Sequence, residues 1–245
     1  MPEIEPPGTY RPQYRLRWRG LARALDHFPR LKVVLADFIR RALGRVFAPS
    51  LVTTERVVEY PFVFQNLTDV RGLVLDVGIC TSRLSVALAS RGFRVVGIDF
   101  QAYPYRHPSL WAVRADAMCL PFSSGCFGCV LAISVLEHIG IGHYGDPKDG
   151  HGDREAVREI RRVLRPGGRA LLTVPFGLAQ TDAFQRVYDP LRLHELLAPL
   201  TLERIEYARS TEGVWTPTTA GLAASVDWSG PNRAVALVVA TSPRR

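Results

Sequence analysis

Three carboxylates close three short apolar runs in this chain, and their spacing points to a ligand. Asp76 lies within Leu73–Val77, Asp99 follows Val95–Ile98, and Asp116 follows Trp111–Ala115. Gly78 comes directly after the first run, and Asp99 falls 23 residues beyond Asp76. A glycine at a strand-to-helix turn tolerates positive φ and lets backbone approach a ligand closely. Free N–H groups at the helix start that follows attract an anionic group. A carboxylate ending the second strand accepts from both hydroxyls of a ribose and repels a 2′-phosphate. Taken alone, this unit says only that the ligand contains a nucleoside. A second group suits proton transfer: His138, His143, Tyr144, Asp146, His151 and Asp153, all after a fourth apolar run at Phe127–Ser134. The same atoms would suit a metal, but their spacing matches no ligand signature, so no metal is expected. Cys126 and Cys129 have the spacing of a redox or zinc pair. Cys129 falls inside an apolar run with no second such pair, so it reads as core.

These residues need elements to hold them. Leu73–Val77 reads as a buried parallel strand. A helix follows with Leu84, Ala87 and Leu88 on one face and Gly92 as its C-cap, then a second strand at Val95–Ile98. Val52–Phe64 reads as an extended lead-in broken by Pro61, and Gln101–Ser109 as loop. Strands are expected at Trp111–Ala115, Phe127–Ser134 and Arg169–Val174. Helices are expected at Arg154–Leu164, with Asp153 as N-cap, and at Leu191–Leu197, with Asp189 as N-cap and Pro190 in the first turn. Arg165–Gly168 stops the first of these. Two last strands, Leu202–Arg209 and Ala234–Thr241, flank an insertion bearing Trp215, Thr216, Thr218, Thr219 and Trp228, which suits either a pocket wall or hairpin packing. The alternation implies an α/β fold, a doubly wound and mostly parallel sheet covered on both faces, with an antiparallel C-terminal edge.

The 245 residues, 47% hydrophobic and 22% charged, permit one domain with additions or two small ones. No apolar run approaches the roughly 20 residues that span a bilayer. The proline-rich, acidic start does not read as a signal peptide. Four cysteines in a chain this long suggest a reducing cytoplasm rather than a disulfide framework. The net charge of +8 is concentrated: ten Arg or Lys against Asp26 and Asp37 lie between Arg11 and Arg45. We therefore divide the chain into a basic N-terminal helical arm, residues 1–50, and an α/β domain, residues 51–245. The nearly neutral domain argues against a nucleic-acid partner. The arm suits a cap on the core or on another subunit (a homodimer being one option), peripheral contact with an anionic membrane, or a cover over the active site.

VLDVGICTS, VVGID, RADAMCLPF, FGCVLAISVLEHI and EIRRVLRPGGRALLTVP, in this order, resemble a class I S-adenosylmethionine-dependent methyltransferase over about Leu73 to Pro175. The loop HIGIGHYGDPKDGHGD with RVYDPLRL also looks like a bacterial methyltransferase-like family catalogued as a domain of unknown function, extending the likeness over most of residues 52–210. The resemblance implies a seven-stranded Rossmann-like methyltransferase fold and S-adenosyl-L-methionine as cofactor. By it, Asp76, Gly78, Ile79, Cys80 and Thr81 line the methionine moiety, Asp99 holds the ribose, and Phe100 lies against the adenine. Asp116 and Ala117 read the adenine edge, while Ser134, Leu136 and Glu137 close the side near the sulfonium. His143, Tyr144, His138 and Asp146 are the catalytic candidates, acting on a small-molecule acceptor, a saccharide or secondary metabolite methylated at a hydroxyl. The family's turn usually carries three glycines, and Cys80 and Ser82 replace two of them. A domain that binds the cofactor, or has lost it, and works as a scaffold through the basic arm is the alternative.

Overall fold

A computed structural model describes residues 54–80, 82–144 and 148–244. The expected arm at residues 1–50, and the candidates Thr81 and Asp146, lie outside the described residues.

The first described element corrects the sequence reading. Residues Arg56–Gln65 are a helix, α1, not an extended lead-in. Glu59, Phe62 and Val63 fall at helical spacing and are all buried. Pro61 is accommodated on the outer face, where Val57, whose carbonyl loses its partner, is half exposed.

Strand β1 (Leu73–Val77), helix α2 (Leu84–Ala89) and strand β2 (Arg94–Asp99) form the expected unit. Gly92 ends α2 at φ +91°, and the Phe93 N–H returns to the Leu88 carbonyl. Strands β3 (Leu110–Arg114) and β4 (Phe127–Ile133) follow, then a single 3-10 turn at Leu136–His138. Helix α3 (Gly152–Val163) runs straight into β5 (Leu164–Pro175). Arg165–Gly168 stops the helix and is accommodated as a bulge, since Phe127 pairs with Leu164 but Cys129 pairs with Arg169.

Beyond β5 lie a two-stranded hairpin, β6 (Gln180–Thr181) and β7 (Arg186–Val187), and helix α4 (Pro190–Leu197). The Asp189 side chain caps α4 by accepting the Arg192 N–H. Then come β8 (Thr201–Thr211), β9 (Val214–Thr218), the short helix α5 (Ala220–Ala224) and β10 (Arg233–Thr241).

The main sheet has eight strands rather than seven, in the order β3-β2-β1-β4-β5-β10-β8-β9. Strands β1 to β5 are parallel, while β10 is antiparallel to both β5 and β8, and β8 to β9. The last strand of the chain thus inserts between β5 and β8, and the edge hairpin is β8–β9. Leu75, Val77, Val130 and Leu172 pack beneath Ala156, Val157 and Ile160 of α3 and Leu193 and Leu196 of α4. On the opposite face Val74, Cys129, Leu131 and Leu171 meet Phe62 and Val63 of α1 and Leu84 and Leu88 of α2. Among the described residues no helix is long and apolar enough to cross a membrane.

Candidate active site

The carboxyl ends of β1, β2 and β4 open on a cavity of about 760 Å³. Open α/β sheets place ligands at that edge, where the strand order changes direction. Here the chain steps outward from β1 to β2 and β3 and then crosses back to β4 on the other side of β1.

One half of the cavity is lined by Gly78, Cys80, Asp99, Phe100, Ala117 and Ser134. Gly78 takes φ +78°, and a Cβ there would come 2.3 Å from Val135 Cγ2, so only glycine fits the turn. Asp99 Oδ2 accepts the Cys80 N–H at 2.7 Å and Oδ1 accepts the Gln101 N–H at 2.9 Å. Each oxygen keeps a further lone pair for a ligand. Phe100 presents a ring that is 37% exposed beside it.

The remaining expected residues on this side stand behind the wall and do not line it. Asp76 is buried and accepts the Ser85 hydroxyl at 2.5 Å, tying β1 to α2. Burial pushes its pKa up to about 6, against the opposing Ser85 hydrogen bond. Ile79 is buried over Gly97, where a Cβ would lie 2.8 Å from the Ile79 side chain. Leu136 belongs to the core. Asp116 accepts the Met118 N–H at 2.8 Å in a local turn, and only its neighbour Ala117 reaches the cavity. The backbone donors expected to stay free for an anion are also committed. The N–H groups of Gly78 and Ile79 both go to the Ile98 carbonyl, and that of Leu84 goes to Ser82 Oγ.

The other half is lined by Glu55, Arg56, Glu137, His138, Tyr144, Phe184, Trp228 and Arg233. His138 Nδ1 lies 2.7 Å from the Phe184 carbonyl, so it carries the ring proton and Nε2 the lone pair. Burial lowers the His138 pKa, which favours this neutral form. Burial raises the Tyr144 pKa, keeping it a phenol. The rings of His138, Tyr144 and Phe184 meet edge to face or tilted, with centroids 4.6 to 6.3 Å apart. His143 joins the cluster from outside, 4.9 Å from Tyr144 and 5.0 Å from Phe184, without lining the cavity.

Asp153 serves the loop's architecture. His151 occupies the N-cap position of α3, while Asp153 accepts the buried Tyr188 hydroxyl at 2.8 Å. Arg186 reaches back from β7 to the Ile139 and Asp149 carbonyls and fixes the same loop.

Sequence reasoning missed the charged set brought by α1. Glu59, fully buried, accepts from Arg56 at 2.7 Å, from Ser134 Oγ at 2.5 Å and from Thr173 Oγ1 at 2.6 Å. Arg56 also donates to the Ile133 carbonyl. These bonds hold the end of β4, where Ser134 takes φ +46°. The i,i+3 spacing of Arg56 and Glu59 was the available signal. Phe184 had none, because it depends on a hairpin with two-residue strands.

Residues 75–172 match the family model described as a methyltransferase domain. An uncharacterized 37.1 kDa protein in a transposon of Streptomyces fradiae is 31% identical over 163 residues, covering 57% of this chain and 44% of that protein. A demethylmenaquinone methyltransferase of Corynebacterium kroppenstedtii is 30% identical over 126 residues, 50% of each chain. The chain thus spans about half the length of these curated relatives. Among solved structures, the 1,6-didemethyltoxoflavin-N1-methyltransferase of Burkholderia thailandensis, with S-adenosylhomocysteine bound, superposes with a TM-score of 0.54 at 17% identity, covering 88% of this chain and 89% of that one. The fold is the Rossmann-like fold of the class I methyltransferases.

Proposed function

We propose that this chain, with its methyltransferase domain at residues 75–172, transfers a methyl group from S-adenosylmethionine to a small-molecule acceptor. A hydroxyl oxygen of a saccharide or secondary metabolite is the proposed acceptor atom. The observation that carries the reading is one continuous cavity. Its strand-end half offers a diol acceptor, and its other half is aromatic and titratable.

The residues fit the cofactor. Asp99 retains lone pairs on both oxygens for a ribose, Phe100 offers a flat exposed ring for the base, and Gly78 and Ala117 leave space beside them. Asp76 and Ile79 support this turn from behind. When bound, S-adenosylmethionine supplies an electrophilic methyl group. Positioning an acceptor in line with that methyl contributes on the order of 7–11 kcal/mol in well-oriented systems. His138, Tyr144 and Phe184 would orient the acceptor, and the Glu59 network would hold Ser134 at the boundary between the two halves. The relatives support methyl transfer; one is named for a quinone acceptor and another for a ring nitrogen, so they do not favour oxygen. The four free cysteines fit a cytoplasmic setting.

The test is isothermal titration with S-adenosylmethionine and S-adenosylhomocysteine, followed by S-adenosylhomocysteine release across a panel of hydroxylated, amino and quinol acceptors. Micromolar cofactor binding with acceptor-dependent release is expected. Binding without release from any acceptor supports the scaffold alternative, and no binding at millimolar ligand rejects both.

A further inference from the structure

Five buried side-chain atoms among the described residues have no hydrogen-bond partner. Arg169 Nε, Arg209 Nε, Ser210 Oγ and Trp215 Nε1 belong to strands β5, β8 and β9, and those residues do not line the cavity. The fifth is Oε2 of Glu137, a residue that is 2% exposed and does line it. Burial, with the nearby Glu59 charge adding to it, raises the Glu137 pKa well above the ordinary carboxylate range and makes the group a stronger proton acceptor. A buried carboxyl oxygen without a partner is costly to keep, so its partner is to be sought in what the cavity binds.

The neighbours explain why the protein does not satisfy it. His138 Nε2 lies 3.7 Å from Glu137 Oε1 but presents a lone pair, since Nδ1 holds the proton shared with the Phe184 carbonyl. Arg56, the cation of the lead-in helix, is engaged by Glu59 and the Ile133 carbonyl. The cavity wall carries the carboxylates Glu55, Asp99, Glu137 and Asp182 against the guanidinium groups Arg56 and Arg233. Such a wall opposes a second anion and welcomes a donor. The surface beside Glu137 is aromatic: His138, Tyr144 and Phe184 on one side, with Trp228 also lining the cavity and stacked under Arg233.

We propose that Glu137 is the catalytic base of the acceptor half, and that the acceptor is a neutral, flat ring bearing an O–H or N–H donor, held against the His138–Tyr144–Phe184 cluster with its donor on Glu137 Oε2. This rests on the methyltransferase reading above and narrows its acceptor to a flat-ring metabolite in place of a saccharide, with nitrogen admitted beside oxygen. As the bond from the acceptor oxygen or nitrogen to the methyl carbon forms and the carbon–sulfur bond breaks, the acceptor's proton passes to Oε2. The products are the methylated acceptor, a neutral thioether and protonated Glu137, so charge and atoms balance with no further reactant.

Matched probes test this without knowledge of the natural acceptor. With S-adenosylhomocysteine present, 2-naphthol, 2-methoxynaphthalene and 2-naphthoate are titrated by quenching of tryptophan fluorescence. At a pH high enough to ionise Glu137, where its carboxylate only accepts, the wild-type protein should prefer 2-naphthol over its methyl ether by about ten-fold or more, because the ether leaves Oε2 unpartnered, and should discriminate against 2-naphthoate at least as strongly. Glu137→Gln, whose amide offers a donor of its own, should reduce the naphthol preference to about two-fold. Equal wild-type binding of naphthol and its ether overturns the proposal, with no variant required. So does a Glu137→Gln protein that keeps the preference while losing affinity for S-adenosylhomocysteine, which would make Glu137 a cofactor contact. Failure of the wild-type protein to bind S-adenosylhomocysteine at all instead overturns the underlying methyltransferase reading.

Discussion

Replacing Asp76 by Asn should make the stability of this protein less dependent on pH, and the size of the effect follows from where Asp76 sits. Its carboxyl is buried at the end of β1, with the Ser85 hydroxyl as its hydrogen-bond donor. Burial raises its pKa from 3.8 to about 6. A group whose folded pKa is raised favours folding while it is protonated. That contribution is complete below pH 3.8, where both states hold the proton, and is lost as pH rises through about 6. Each pKa unit of separation is worth about 1.4 kcal/mol, so ionisation costs the native state about 1 kcal/mol at pH 4.5 and about 3 kcal/mol at pH 8. Asn cannot ionise. Whatever its amide costs at that position, the cost is the same at both pH values. The difference in unfolding free energy between Asp76→Asn and wild type should therefore shift by about 2 kcal/mol in the variant's favour between pH 4.5 and pH 8. Urea unfolding followed by tryptophan fluorescence at the two pH values measures it. An offset that does not change with pH would refute the reasoning, and would mean that Asp76 titrates as it does in the unfolded chain.

Three further substitutions probe the site. Asp99→Ala removes the proposed ribose acceptor and the partner of the Cys80 N–H, and should weaken S-adenosylhomocysteine binding by roughly 1–3 kcal/mol in calorimetry; unchanged affinity would move the cofactor elsewhere. Gly78→Ala places a methyl 2.3 Å from Val135 Cγ2 at φ +78° and should destabilise by about 2–4 kcal/mol in urea. A loss below about 0.5 kcal/mol would show that the turn relaxes freely. Glu59→Ala leaves Arg56, Ser134 and Thr173 without their common acceptor and should cost about 3 kcal/mol or more. A neutral result in the same assay would mean that the network contributes nothing to holding α1 on the sheet.

The legible part of this fold was the part written in short-range pattern. Leu73–Asp99 announces itself by an apolar run, a helical repeat and a closing glycine. Asp189 caps its helix as its position before Pro190 implies. The failures are of two kinds. In α1, Pro61 and the β-branched residues Val57, Val58 and Val63 argue locally for extended chain. Burying Phe62 and Val63 against Leu84 and Leu88 outweighs that local preference. The second kind is long-range. Nothing near Glu59 in sequence reveals that its acceptors serve Ser134 and Thr173, 75 and 114 residues away. Likewise nothing local to β10 shows that it inserts between the buried β5 and the largely polar β8. The site follows the same division: Asp99 and Gly78 come from the local unit, whereas Arg56, Phe184 and Arg233 arrive by packing.

The glycine-poor turn after β1 is where sequence and structure bear hardest on each other. Two positions usually given to glycine in class I methyltransferases carry Cys80 and Ser82 here. The backbone shows what those side chains do. Cys80 adopts φ +30°, a conformation costing of order 1–3 kcal/mol for a residue with a Cβ, and its N–H is held at 2.7 Å by the Asp99 carboxylate. Ser82 Oγ accepts the Leu84 N–H at the start of α2 and lies 3.0 Å from the Tyr60 hydroxyl of α1. The Ser82 carbonyl accepts the Tyr103 hydroxyl at 2.6 Å. The turn is thus fastened to α1, to the end of β2, to α2 and to the loop after β2. A glycine turn supplies its shape through conformational freedom and loses that freedom when a ligand orders it. A turn fixed at four points has already met that entropy in folding, which favours binding. The missing glycines are therefore no argument against a working cofactor site, and the weight returns to Asp99, whose carboxylate both fixes the turn and faces the cavity.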